Sequence, residues 1–342
     1  MIDTTEKVKN ELLEAEFYNK PYKFSYTSLN KLITSPSSFY KEYILKERED
    51  EFKKYLLEGT LIHFLVLDNA GFDDKFVVLP DKLPSETTLI VVDRVFAENV
   101  EAIMNDTSLQ LCDYEDEIDD ILTDIDKHQN VKDRVKRIAK IVTPQAEEYF
   151  AVLRDKKRKT VIDSALLDKC TRRAEIVKSN LEMRDLLGLD LISDGKKYGV
   201  YNELELSIEP ENDMLFGYKG ILDNLVVDVD KKVVRINDFK TTGKTLVDFS
   251  ESVEFWNYWL QAVIYIKLVE NYLGKVLDES WKIEFRFIVF DKYDQLYAYK
   301  VSEKTLTLWK EKFIVAERDA TYHYESKDYT LPYKFARGIV EL

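Results

Sequence analysis

INDFKTT, Ile236 to Thr242, continues the apolar-rich run KKVVRI that begins at Lys231. Side chains two apart on a β-strand share a face, so Asp238 and Lys240 project together. A carboxylate beside an ammonium on a strand is either a surface ion pair or part of a reactive site, and its neighbours decide which. Asp223 stands in GILDNLVV, fifteen residues earlier. A strand–turn–strand hairpin of that length returns the chain beside itself and brings Asp223 to Asp238 and Lys240. Two carboxylates in one place repel, and one is pushed toward protonation unless a cation joins them. Oxygen ligands of this kind suit Mg²⁺, with Mn²⁺ as a substitute. Lys240 would then act on the attacking water, by orienting it, by favouring its deprotonation, or by stabilising transition-state charge.

Other segments of the chain sort by period. The N-terminal part reads as helices: Thr27 or Ser28 can cap one, and Ser35 before Pro36 caps another. Leu57, Leu61, Phe64, Leu65 and Leu67 recur at helical spacing, with His63 among them. SALLDKC through DLLGL reads as one long amphipathic helix beginning near Asp163 or Ser164. From Tyr198 the period becomes two. YNELELSI, KGILDNLVVDV and KKVVRINDFKT are expected strands, with ENDMLFG and DVDKK as turns. FWNYWLQAVIYIKLVENYLG is an expected helix ending at Gly274. KIEFRFIVF and QLYAYKVS form a hairpin across DKYD, and TLTLWKEKFIVAERDA is a last helix. The expected architecture is α/β or α+β: a mixed central sheet flanked by helices, elaborated as one domain. Residues 1–80 form its helical start, 81–198 a mainly helical insertion, and 199–342 its core.

These motifs, taken in order, resemble the PD-(D/E)XK nucleases of the RecB type, and most closely their RecE-like (exonuclease VIII) branch. Asp223 followed by Asp-Phe-Lys matches the core motif. Gln261 and Tyr265, in QAVIY, match QxxxY, and His63 in GTLIHFLVLD matches the upstream histidine. The resemblance runs, with gaps, from about Tyr26 to Tyr265. It implies a restriction-endonuclease-like core in which Asp223, Asp238 and the Phe239 carbonyl hold metal and His63 is an additional ligand. Gln261 and Tyr265 are implied to position the site or the DNA strand. A further acidic residue is expected from YNELELSI, where Glu203 and Glu205 share a face on regular alternation. Glu205 is the favoured one.

The implied activity is a Mg²⁺-dependent exodeoxyribonuclease that degrades double-stranded DNA from an end, 5′ to 3′, leaving 3′ single strands. The implied partners are a single-strand annealing protein and further copies of the chain in a ring, in a phage or prophage setting. The rivals are a RecB-like nuclease of other polarity or substrate, and an inactive DNA-binding module. Iron–sulfur clusters of some relatives need four cysteines; Ser35 stands at one of those positions and the chain has only Cys112 and Cys170, so no cluster is expected.

Composition bounds these readings. At 45% hydrophobic and 33% charged, 342 residues can build a sizeable core. A net charge of −14 speaks against binding nucleic acid along the whole surface, since counterion release needs clustered Lys and Arg. RDKKRK, Arg154–Lys159, and the acidic run Asp113–Asp126 read as solvated surface, and Trp256, Tyr258 and Trp259 as core or oligomer surface. No apolar run reaches the roughly 20 residues of a membrane span. The expected location is the cytoplasm.

Overall fold

A computed structural model describes residues 4–47, 54–67, 71–191, 199–210, 215–336 and 338. Eight strands occur among them: β1 (Tyr22–Phe24), β2 (Phe76–Val78), β3 (Thr160–Ile162), β4 (Gly199–Ile208), β5 (Phe216–Asp228), β6 (Val233–Thr241), β7 (Lys282–Phe290) and β8 (Leu296–Lys300). The chain divides into two compact units, residues 1–63 with 176–342, and residues 64–175. Residues 64–175 form the smaller of the two.

In the larger unit β5 is the organising strand. Along one edge β4 pairs with it antiparallel from Gly199↔Val227 to Ile208↔Tyr218. Along the other, β6 pairs antiparallel only as far as Asn224↔Asn237, and β1 takes over in parallel at Phe216–Tyr218. β7 continues the sheet parallel to β6, and β8 closes it antiparallel. This is a mixed α/β fold with a central mixed sheet flanked by helices. The parallel β6–β7 step needs a crossover, and the helix Tyr258–Leu273 supplies it.

That helix is apolar on nearly every side, which suits a helix buried all round. Leu260, Ala262, Ile264, Val269 and Leu273 are completely enclosed, in one core with Leu225, Ile236, Phe285 and Phe287 of the sheet. Burying each of the leucine, isoleucine, valine and phenylalanine side chains contributes about 1.5–3 kcal/mol. The helix begins at Tyr258, not with the whole FWNYW segment. Asn257 adopts a left-handed φ of 55°, which ends a separate short helix, Phe249–Phe255.

Caps explain the other departures. The helix Tyr26–Thr34 starts before Thr27 because Ser25 and Ser28 form a reciprocal capping box. Pro36 opens the next turn with Ser35 at the N-cap position, but the Ser35 hydroxyl pairs with that of Ser38 and makes no capping bond to the backbone. The long helix expected from Asp163 breaks into Ser164–Ser179 and Leu181–Leu187, because the Asn180 side chain accepts from the Met183 amide and restarts the helix. The ENDMLFG turn falls mostly outside the described residues.

In the smaller unit, helices enclose a core that includes Val91, Val95, Ile118, Leu122 and Phe150. β2 and β3 pair in parallel there. The basic cluster is partly structural: Arg154 donates to the carbonyls of Thr107 and Leu109, and Arg158 to that of Met104. No helix among the described residues is long and apolar enough to cross a membrane.

Candidate metal centre

The point where β6 leaves β5 is where the polar side chains gather. Each of the three adjacent strands carries an asparagine beside an acid: Asn202-Glu203, Asp223-Asn224 and Asn237-Asp238. The register sets Asn202 against Asn224, and Asn224 against Asn237. An amide row follows. Asn237 Nδ2 donates to Asn224 Oδ1 at 2.7 Å, and Asn224 Nδ2 to Asn202 Oδ1 at 2.8 Å. The same amides donate to the Leu186 and Leu187 carbonyls at the end of helix Leu181–Leu187. Asn224 and Asn237 are fully buried, so these bonds satisfy groups that water cannot reach.

One position further along each strand lies an acid row: Glu203, Asp223 and Asp238. Here the β5–β6 ladder stops. Asp223 Oδ2 instead accepts from the Phe239 amide at 2.8 Å. Glu203 takes a left-handed φ of 50°, a strained backbone for a residue with a long side chain. The side-chain alternation shifts phase at this point. Tyr201 packs on the same core as Leu204, Leu206 and Ile208, and Leu225 and Val227 on the same core as Tyr218 and Leu222. Glu203 and Glu205 therefore do not act as a same-face pair. Glu205 is exposed, and Glu203 joins the site in its place.

His63 reaches the acid row from the helix Lys54–Leu67. Its Nδ1 lies 2.7 Å from Glu203 Oε1, and its ring stacks 6.4 Å from that of Phe239. One ligand atom each of His63, Glu203 and Asp223 lies within 4.8 Å of the others, a spacing that fits a shared cation. Burial pulls the imidazole toward its neutral form, but Asp223, Glu203 and Asp238 outweigh it and raise its pKa.

Asp238 is 1% exposed. Its Oδ1 accepts from Gln261 Nε2 at 2.7 Å. Its Oδ2 meets the Lys240 ammonium in an ion pair yet accepts no well-aligned hydrogen bond. Burial pushes this carboxyl up to about 7; Lys240 opposes the rise and Asp223 adds to it. A buried carboxylate so poorly compensated is what a bound cation would relieve. For Lys240, burial works against the charge, but Asp238 and Asp223 hold the proton and the net shift is upward. Its ammonium also lies 4.9 Å over the Tyr258 ring and 3.5 Å from the Phe239 carbonyl.

Gln261 and Tyr265 are both buried, so neither presents a surface to a DNA strand. Gln261 fixes Asp238. The Tyr265 hydroxyl donates to the Ile221 carbonyl at 2.7 Å and its ring lies against Gly220, where an added Cβ would stand 2.8 Å from Cε1. Burial first, then Asp238 and Asp223, push this phenol well above its ordinary pKa, so it remains a donor. The asparagine row was not anticipated from sequence. Its signal is there, however, in the mirrored order Asp-Asn on β5 and Asn-Asp on β6.

No protein-family model matches the chain, and no curated protein does. Among solved structures, the chain is similar to one from Eubacterium rectale named "Putative exonuclease". The two are 10% identical over all of this chain and 93% of that one, with a TM-score of 0.48. A likeness that slight does not fix a function, which must be read from the side chains.

Proposed function

We propose that the protein is a divalent-metal-dependent deoxyribonuclease of the RecE-like kind, acting from the end of double-stranded DNA. The observation that carries this reading is the cluster of His63, Glu203 and Asp223 at the fork between β5 and β6, with Asp238 and Lys240 beside it. In this reading those three residues hold the cation, and Asp238 and the Phe239 carbonyl are further oxygen donors. Three carboxylates suit Mg²⁺ or Mn²⁺. When bound, the cation supplies Lewis acidity toward a phosphate oxygen and offsets its negative charge.

The chain's own residues do the rest. Lys240 keeps its proton, so it orients the attacking water and stabilises developing charge as a hydrogen-bond donor; it is not the base. Gln261 holds Asp238 in one rotamer. Tyr265 fixes the β5 backbone two residues from Asp223. The resemblance to RecE-like nucleases adds 5′ to 3′ polarity, 3′ single-stranded products, an annealing partner and a ring of subunits to the proposal.

Digestion of a linear duplex and of a covalently closed circle of the same sequence, with Mg²⁺ and with EDTA, tests it. The expected result is progressive loss of the linear form in Mg²⁺ only. Equal rates on both forms would reject the requirement for an end, and cleavage in EDTA would reject the metal.

A further inference from the structure

Trp256 and Asn257 form a tight corner between the helices Phe249–Phe255 and Tyr258–Leu273. Trp259, just beyond it, is in the core, but Phe255 is 73% and Trp256 47% exposed. Their rings meet edge to face, 4.7 Å apart at 89°. Two large aromatic side chains in solvent are costly to keep, and here the backbone beneath them is fixed. The Trp256 carbonyl accepts from the Tyr26 hydroxyl and from Asn30 Nδ2. Asn257 donates to Asn30 Oδ1 at 2.8 Å and accepts from Trp259 Nε1 at 2.9 Å. The left-handed Asn257 completes the corner.

The corner also connects to the metal centre. Tyr26, which holds Trp256, has its ring 6.2 Å from Tyr258, and Tyr258 carries the Lys240 ammonium on its face. The acids on the short helix are offset by lysines: Glu251 pairs with Lys244 at 2.6 Å and Glu254 with Lys312 at 2.8 Å.

We propose that Phe255 and Trp256 are a stacking platform for a nucleobase of the DNA end whose phosphate enters the metal centre. The proposal rests on the nuclease reading and deepens it, assigning a base-contacting surface to that site. Every base offers a π-face, so such a platform grips without reading sequence. A rigid corner loses little conformational freedom when the base arrives. The backbone under the platform is tied to Lys240 through Tyr26 and Tyr258.

The test uses the full-length Asp238→Asn chain, to prevent cleavage, and a hairpin duplex with one open end. A fluorescent adenine analogue replaces the terminal base in one DNA, and an abasic sugar replaces it in another. Trp256→Ala should weaken binding of the intact end about 5- to 150-fold and abolish the change in analogue fluorescence. Trp256→Phe should retain most of both. The abasic end should bind the unsubstituted corner weakly and lose nothing further with Trp256→Ala. Equal losses on intact and abasic ends would overturn the proposal, as would no loss at all. A change in particle mass by light scattering in Trp256→Ala, with analogue fluorescence unaltered, would assign the pair to contact between copies and also overturn it. The nuclease reading is judged separately on the unmodified chain. If that chain cleaves linear DNA normally, a failed Trp256 test removes only the platform. If it neither binds nor cleaves DNA, both fall.

Discussion

Gln261 Nε2 donates to Asp238 Oδ1 across 2.7 Å of the protein interior, and this bond ties the crossover helix to the strand that carries the metal centre. Among the described residues the same carboxylate has one other ion-pair or hydrogen-bond partner, the Lys240 ammonium, at its second oxygen. Its orientation therefore depends on the amide. Gln261→Leu would leave that oxygen buried and without a donor, at a cost of about 1–3 kcal/mol. Denaturant unfolding should register the loss, and the Mg²⁺ concentration for half-maximal rate should rise. An unchanged metal requirement would mean that the amide serves the fold alone.

Glu203 and Glu205 offer a direct comparison. Only Glu203 lies with His63 and Asp223. Binding to the native state alone raises stability with ligand concentration, so Mg²⁺ or Mn²⁺ should raise the melting temperature of the wild type. Glu203→Gln should lose most of that rise and Glu205→Gln should keep it. The opposite pattern would restore the choice favoured by regular alternation.

Without metal, stability should fall as pH rises from about 4 to about 7. The Asp238 carboxyl titrates near 3.8 when unfolded but is pushed up to about 7 by burial in the fold. Between those values the folded state holds a proton that the unfolded state has released, so each step upward in pH favours unfolding. The raised imidazole of His63 acts in the same direction, because its contribution is present below its unfolded pKa and is lost above its folded one. Denaturant midpoints in EDTA across this range should slope down for the wild type and more gently for Asp238→Asn. Parallel profiles would contradict the assigned shift.

Gly220 sits where Tyr265 needs room. An alanine there would place its Cβ 2.8 Å from the ring, which is buried and cannot swing away. Overpacking of this kind typically costs about 1–3 kcal/mol. Gly220→Ala should lower stability by that amount and also slow cleavage, since Tyr265 is bonded two residues from Asp223. Gly220→Ala combined with Tyr265→Phe should not restore the rate, whereas a smaller residue at 265 should recover stability.

Asn224→Leu should be harsher than its equal number of heavy atoms suggests. It strips the donor and acceptor that join β4 to β6 and leaves the Leu187 carbonyl and the Asn237 amide with fewer partners. A loss of about 2–4 kcal/mol is expected from several buried groups left unpaired together. Equilibrium unfolding would measure it, and a change within experimental error would show that the row is dispensable.

Sequence by itself determined the fold class and most of the elements. Period two from Tyr198 onward, apolar density in QAVIYIKLV and the Ser-Pro start at Ser35 are local signals, and among the described residues strands and helices formed near them, with the departures set by caps. Asp223, Asp238 and Lys240 were legible because a hairpin of known length and a strand of period two constrain where such side chains can point, whereas His63, on a helix, was suggested only by the family resemblance. That Glu203, and not Glu205, lies beside His63 and Asp223 was decided only by tertiary structure. One left-handed φ shifts the alternation at the very residue concerned, and no local rule predicts a strained backbone at a glutamate. The burial of Gln261 and Tyr265 likewise depends on what covers their helix, which is apolar all round and so does not announce its inner face. The mirrored Asn-Asp order became a row of amides beside a row of acids only once the register placed 202 against 224 and 224 against 237. Register is set by the packing of whole strands, and that is a property of the assembled sheet.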